Sequence, residues 1–257
     1  IDAIASTAGP GLIVCLSVGL SFGKAFAATL DKPFIAVNHL EGHALSPKLN
    51  SKLEYPYLLL LISGGHTQFL AVKNLSNYKR LGTTIDDAIG EAFDKVAKLL
   101  KMPYPGGPEI EKLGENANPK AVDFPRAFLK DDKLEFSFSG LKTALLYFMD
   151  SKKDNNISLE NIAASYQQAI IDVLVRKLDQ AVKKANVKTC VIAGGVAANK
   201  TLRKAVESRL ASIIVLYPDL SLCTDNAAMV AYLGELYLRK GVSSAMDFDI
   251  DPNLKLA

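Results

Sequence analysis

The run from Tyr57 to Ile62 is unbroken in apolar side chains and stops at Ser63-Gly64-Gly65. A strand that shows neither face to water must be covered on both, which calls for a sheet between helical layers. The same grammar recurs along the chain. Cys190 to Ala193 is closed by Gly194-Gly195, and Ile1 to Ala8 by Gly9-Pro10-Gly11. Short runs at Phe34 to Val37, Thr67 to Val72 and Ile213 to Tyr217 complete the expected strands, the second as the returning arm of a hairpin. Helical patterns stand between them, at Leu12 to Leu30, about Ala88 to Lys101, Ser139 to about Met149, Ser158 to about Ala185, around Lys200 to Leu210, and Asn226 to Arg239. Alternation of this kind gives the α/β class. Asp86 or Asp87 is expected to cap the helix at Ala88, and Asn116 to Phe138 reads as a loop-rich insertion.

Composition narrows the classes further. At 49% hydrophobic and 22% charged residues, the chain has ample apolar surface to bury, which excludes disorder. A formal charge of +3 permits contact with nucleic acid without demanding it. Cys15, Cys190 and Cys223 are odd in number and far apart. They argue against a disulfide framework or a thiolate zinc site, and for a reducing cytoplasm. Ala3 to Phe22 carries no charge, but Asp2 precedes it, Gly9-Pro10-Gly11 interrupts it, and small residues fill it. A strand, a tight turn and a buried helix explain it better than a membrane span. The chain begins at Ile1 without an initiator Met, as a cut inside a longer protein would.

Two of the three histidines fall in His39-Leu40-Glu41-Gly42-His43. At i and i+4 they lie about 40° apart on a helix, so both imidazoles can reach one metal. A zinc protease helix has its glutamate directly after the first histidine, where it can activate the metal-bound water. Glu41 is at i+2, about 180° from the mean direction of the pair, and points away. Three glycine pairs, Gly64-Gly65, Gly106-Gly107 and Gly194-Gly195, read as strand ends or turns that let a phosphate approach the backbone. None fits a P-loop or a dinucleotide fingerprint. Asp94 and Asp225 are isolated carboxylates in apolar surroundings. Asp225 is either a helix cap or the third ligand that two metal-binding histidines require.

Taken in order, Asn38 to His43, Leu61 to Gln68, Gly90-Glu91-Ala92-Phe93-Asp94-Lys95, Tyr104 to Pro108, Phe136 to Thr143, Gly194 to Asn199 and Cys223-Thr224-Asp225-Asn226 carry a resemblance. From Asp2 to about Gly241 the chain resembles the bacterial tRNA threonylcarbamoyladenosine biosynthesis family, whose catalytic subunits were once classed as glycoprotein endopeptidases. The resemblance implies an actin-like, two-lobed fold of the sugar kinase, Hsp70 and actin superfamily. It places lobe I at 1–56 plus about 226–257, and lobe II at 57–225. Family members begin with a further glycine- and serine-containing strand hairpin, so lobe I is expected to be incomplete, with an exposed sheet edge.

The resemblance also assigns residues. His39, His43 and Asp225 match metal ligands, generally for iron and sometimes zinc. Leu61, Ile62, Ser63, Gly64 and Gly65 match the phosphate-side loop. Asp94, Gly107 and Asn199 match contacts to the nucleotide part of an acyl-adenylate. Glu111 stands where relatives often carry an aspartate that touches ribose. His66 follows the loop and has either a structural role or an approach to the metal. The implied reaction carries threonylcarbamoyl from threonylcarbamoyl-AMP to the adenosine 3′ to the anticodon, with no catalytic side chain beyond the metal site. The implied partners are tRNA, a paralogous actin-fold subunit and a small P-loop ATPase, with no membrane. A metallopeptidase and an inactive ATP-binding scaffold are the competing readings. For tRNA, the basic positions are Lys95, Lys98 and Lys101 on one helix and Lys200, Arg203 and Lys204 on another. Most such stretches are solvated helix faces.

Overall fold

A computed structural model describes residues 1–151 and 157–256. It divides the chain into two compact units. Unit 1 comprises Ile1–Tyr55, Asn74–Tyr78 and Pro218–Ala257, and unit 2 comprises Pro56–Lys73 and Lys79–Tyr217. The chain thus returns to unit 1 at Pro218, ahead of the expected position near 226, and Asp225 travels with the histidines.

In unit 1, β1 (Ile4–Gly9) and β2 (Phe34–Asn38) pair in parallel, with Ile4 opposite Phe34 and a slip between Thr7 and Gly9. A parallel pair needs a crossover, which α1 (Ile13–Leu30) supplies. The period of two along β2 sorts its side chains between layers. Phe34 and Ala36 face Leu20 and Ala27 of α1. Ile35 and Val37 pack with Leu233 of α8 (Ala227–Arg239) and Leu45 of α2 (His39–Leu45).

Unit 2 is built on a five-stranded sheet. Its order is β5 (Asn77–Thr83), β4 (Thr67–Asn74), β3 (Tyr57–Ile62), β6 (Thr189–Ala193) and β7 (Ile214–Leu216). β3 runs antiparallel to β4 and parallel to β6, and every residue of β3 is fully buried. The helices are α3 (Ile89–Leu99), α4 (Gly106–Leu113), α5 (Ser139–Asp150), α6 (Leu159–Ala185) and α7 (Lys200–Arg209). Residues 116–138 hold no helix or strand beyond one bridge from Thr84 to Phe136.

Four expectations need correction. α1 is not a buried helix. Leu16, Leu20, Gly23 and Ala27 are covered, whereas Val14 is 74% and Phe22 70% exposed. The helix is apolar on all sides, but the small sheet has only one face to offer it. By length and composition α1 could also cross a membrane, a weak signal that core helices share. Second, Gly106-Gly107 is not a turn but the first turn of α4, where Pro108 is tolerated. A Cβ on Gly106 would stand 2.7 Å from the Phe93 carbonyl oxygen, so only glycine lets α4 approach α3 this closely. Third, β5 was not anticipated, because NYKRLGT is polar and follows no clean alternation. It is an edge strand.

Fourth, neither aspartate caps α3. Thr67 Oγ1 accepts the Ile89 N–H at 2.8 Å, and Asp87 pairs with Lys95 at 2.6 Å. Asp86 instead holds the start of α5. It accepts from Ser137 Oγ at 2.5 Å, the Phe138 N–H at 2.8 Å and Ser139 Oγ at 2.7 Å. Partial burial pushes the Asp86 carboxyl up, but these hydrogen bonds outweigh it and leave it below the ordinary range. A depressed native pKa contributes stability that is present above the unfolded value, about 3.9, and lost as pH falls through the native one. Asp86→Asn should therefore destabilise the protein by on the order of 1 kcal/mol between pH 5 and 8, discounted for exposure. The gap in melting temperature should close below about pH 4. A gap independent of pH would show that ionised Asp86 contributes nothing.

Gly194 supplies a second test. Its φ is 96°, and a Cβ there would stand 2.4 Å from the Ile62 carbonyl oxygen. Gly194→Ala should cost at least about 3 kcal/mol, from left-handed strain plus overpacking. Urea denaturation would check it.

Candidate metal centre and nucleotide loops

β2 runs directly into α2 through Asn38, whose side-chain oxygen accepts the N–H groups of Leu40 and Glu41. This cap fixes where the helix starts, and so which way residues one turn apart point. His39 and His43 come out on one side, with ring centroids 4.8 Å apart and planes at 84°. At the start of α8, Asp225 is not the helix cap. Asn226 takes the cap, its oxygen accepting the Met229 N–H at 2.9 Å. Asp225 is left to face the histidines. Its Oδ1 stands 3.1 Å from His43 Nε2 and 3.3 Å from His39 Nε2.

The three donors lie within 4.8 Å of one another. Ligand atoms sharing an ion through bonds of about 2.0–2.2 Å stand about 3 Å apart, as Asp225 Oδ1 does from each histidine Nε2. Two imidazole nitrogens with one carboxylate oxygen make a facial set that leaves positions open. The site is graded in access: His43 is 1% exposed, and the Asp225 side chain 79%. The His39 and His43 rings hold the Asp225 carboxyl well below the usual carboxylate range. His43 Nδ1 is buried without a partner among the described residues. Residues of this kind fit a divalent cation. Glu41 is bonded elsewhere, to the Ser76 N–H and the hydroxyls of Tyr78 and Tyr237. His66 belongs to unit 2 and is not among the clustered donors.

The loop residues sit within unit 2. β3 and β6 are parallel neighbours, so both glycine pairs emerge at carboxyl ends of adjacent strands, the usual place for a ligand on such a sheet. In the first loop the Ser63 N–H donates to the His66 carbonyl, and the His66 N–H donates to Ser63 Oγ. Gly64 and Gly65 are exposed, with open space where a side chain would begin. Leu61 and Ile62 are buried in β3 and support the loop rather than line it. Gly107 is likewise open.

The remaining candidates already make bonds of their own. Asp94 Oδ1 accepts the Gly106 N–H at 2.7 Å and joins α3 to α4. Asn199 caps α7 through the Leu202 N–H, and its amide donates to Gln167. Glu111 Oε1 accepts the N–H groups of Lys200 and Thr201, adding a carboxylate to the positive end of α7. Sequence reasoning missed Gln167 and the Glu111 bonds, since no spacing links these residues. Of the six basic positions, Lys95 is paired with Asp87 and Glu91. Arg203 donates to the Ala197 carbonyl and lies over the Tyr217 ring. Lys98, Lys101, Lys200 and Lys204 are exposed.

Residues 1–232 match the profile of the family described as TsaD: tRNA N6-adenosine threonylcarbamoyltransferase. The chain belongs to that family. The enzyme of that name from Pelagibacter ubique is 54% identical over 242 residues, covering 91% of this chain and 68% of its own. The Thermosipho africanus enzyme is 48% identical over 259 residues, covering 100% and 78%. The chain is thus a member of a transferase family that modifies tRNA. Among solved structures, T. kodakarensis HypF superposes with a TM-score of 0.69 at 16% identity, over 93% of this chain and 41% of that one. An activator of 2-hydroxyisocaproyl-CoA dehydratase from Clostridium difficile gives 0.52 at 17%, over 92% and 87%. At such identities the likeness shows the fold, which is the actin-like ATPase fold.

The split of roles between two adjacent residues is testable. Asn226→Ala should cost about 1 kcal/mol of stability, the usual value of a cap. Asp225→Ala should cost no more than about 0.5 kcal/mol in chelator, because its side chain is 79% exposed and exposed ion pairs contribute little. Thermal melts showing the reverse order would make Asp225 the structural residue of the pair.

Proposed function

We propose that this family member transfers threonylcarbamoyl from threonylcarbamoyl-AMP to N6 of the adenosine 3′ to the anticodon, in tRNAs reading codons that begin with A. The observation that supports it most is the convergence of His39, His43 and Asp225 on one point. His39 and His43 would each give Nε2 to the ion, and Asp225 a carboxylate oxygen. The ion, Fe2+ in our reading with Zn2+ as the alternative, would supply Lewis acidity and a template for the threonylcarbamoyl group. Backbone N–H groups of Gly64 and Gly65 would hold the phosphate, with Leu61, Ile62 and Ser63 supporting the loop. Asp94, Gly107, Glu111 and Asn199 would hold the nucleoside. The N6 amine attacks the carbamoyl carbon, a C–N bond forms, and the C–O bond to phosphate breaks. AMP leaves with that electron pair, and the amine proton passes to solvent.

No enzyme nucleophile is required. Cys190 and Cys223 are buried, and burial pushes the Cys190 thiol up. The peptidase reading loses its base, because Glu41 is committed to three donors away from the histidines. Its partners, in this reading, are tRNA, a paralogous actin-fold subunit and a small P-loop ATPase. The exposed apolar side of α1 has the chemistry a subunit contact needs. Three cysteines, odd in number and far apart in sequence, and a tRNA substrate favour the cytoplasm.

Labelled threonine should pass from threonylcarbamoyl-AMP into tRNA in the presence of the partner subunits. His39→Ala and Asp225→Ala should each lower that transfer at least about 100-fold, the scale of losing a Lewis acid. Transfer indifferent to both would remove the metal reading and favour the scaffold.

A further inference from the structure

Glu41 is 2% exposed, on the side of α2 opposite the two histidines. A buried carboxylate is costly unless it is hydrogen-bonded, and an apolar residue would fill the space more cheaply. Glu41 is held at both oxygens. Oε1 accepts the Ser76 N–H at 3.0 Å and the Tyr78 hydroxyl at 2.7 Å, and Oε2 accepts the Tyr237 hydroxyl at 2.6 Å. Short O–H···O⁻ bonds of this kind are directional as well as strong. Ser76 reaches Glu41 from the tip of the β4–β5 hairpin, with φ at 65°. That tip, Asn74–Tyr78, belongs to unit 1, where Leu75 is buried in the same cluster as Leu45 and Leu233.

α2 has seven residues, too few to hold its direction unaided. The three metal donors sit on α2 and on the residue before the Asn226 cap of α8. Glu41 joins the same two elements through Tyr237, and Gly42 closes the gap, where a Cβ would stand 3.3 Å from Met229 Cγ. We propose that Glu41 is a positioning residue for the metal centre. Its bonds to Ser76, Tyr78 and Tyr237 fix the rotation of α2, and so the directions in which His39 and His43 present Nε2 towards Asp225. This rests on the metal reading above.

The test is a Co2+ titration of the metal-free chain, followed by visible ligand-field bands, with thermal melts in chelator alongside. The variants are Glu41→Gln and, because a change at a buried charge can unfold a protein, Tyr237→Phe, which removes one hydroxyl and keeps the ring. The wild-type chain should bind one Co2+, and His39→Ala should abolish the bands. Each variant should bind Co2+ about 10- to 100-fold more weakly, as when outer-shell partners are lost, with shifted bands and a cooperative melt. Wild-type affinity and bands in both variants would overturn the positioning role and leave the metal centre intact. Absence of Co2+ binding by the wild-type chain would overturn both.

Discussion

The approach of Asp225 to His43 joins residues 182 positions apart, and most of unit 1 serves to hold it. One donor element must arrive from β2 and the other from the loop before α8, so both ends of the unit have to be pinned at once. Two asparagines do this. Asn38 sets the start of α2, and Asn226 sets the start of α8. Side chains that cap helices fix the rotation of the first turn, so each asparagine also aims the donor beside it. The sheet between them has only two strands, marginal by itself. It persists because α1 covers one face and α8 the other.

Unit 2 meets a different constraint. Its sheet buries β3 completely, and the parallel pairing with β6 sets two glycine loops side by side at the same end. Gly194 lies against the Ile62 carbonyl so closely that no side chain fits. The glycines therefore divide the work. Gly194 lets the two strand ends abut, whereas Gly64 and Gly65 leave backbone open to solvent.

Much of this was legible in the sequence, for physical reasons that also explain the rest. Apolar runs and helix caps are local signals, so the strands at Tyr57 and Cys190 and the helices after Ser158, Asn199 and Asn226 stand near where patterning put them. The histidine pair was legible because i, i+4 spacing fixes geometry. Asp225 was ambiguous because cap and ligand prefer the same place, and only the observation that Asn226 caps separates them. What stayed hidden was non-local. Thr67 caps α3 from a neighbouring strand, Asp86 serves α5 rather than the helix it precedes, and Glu41 finds its tyrosines across the unit. The covering of α1 was misread because a helix apolar all round looks buried whatever stands beside it.

The residues that the family relationship would assign to the nucleoside already carry structural bonds, which raises the question of whether they can do both. For Glu111 the bonds to α7 all use Oε1. A carboxylate has acceptor capacity on two oxygens, so a ribose hydroxyl can be accepted at Oε2 without undoing the helix end. Asp94 is in the same position, with Oδ1 committed to Gly106. Asn199 differs, since its oxygen holds Leu202 and its amide holds Gln167. Its remaining capacity is one amide hydrogen and one lone pair on the oxygen, both already aimed by those two bonds. A ligand meeting Asn199 would find a donor whose orientation is set before it arrives, and preorganised donors of that kind cost least to use.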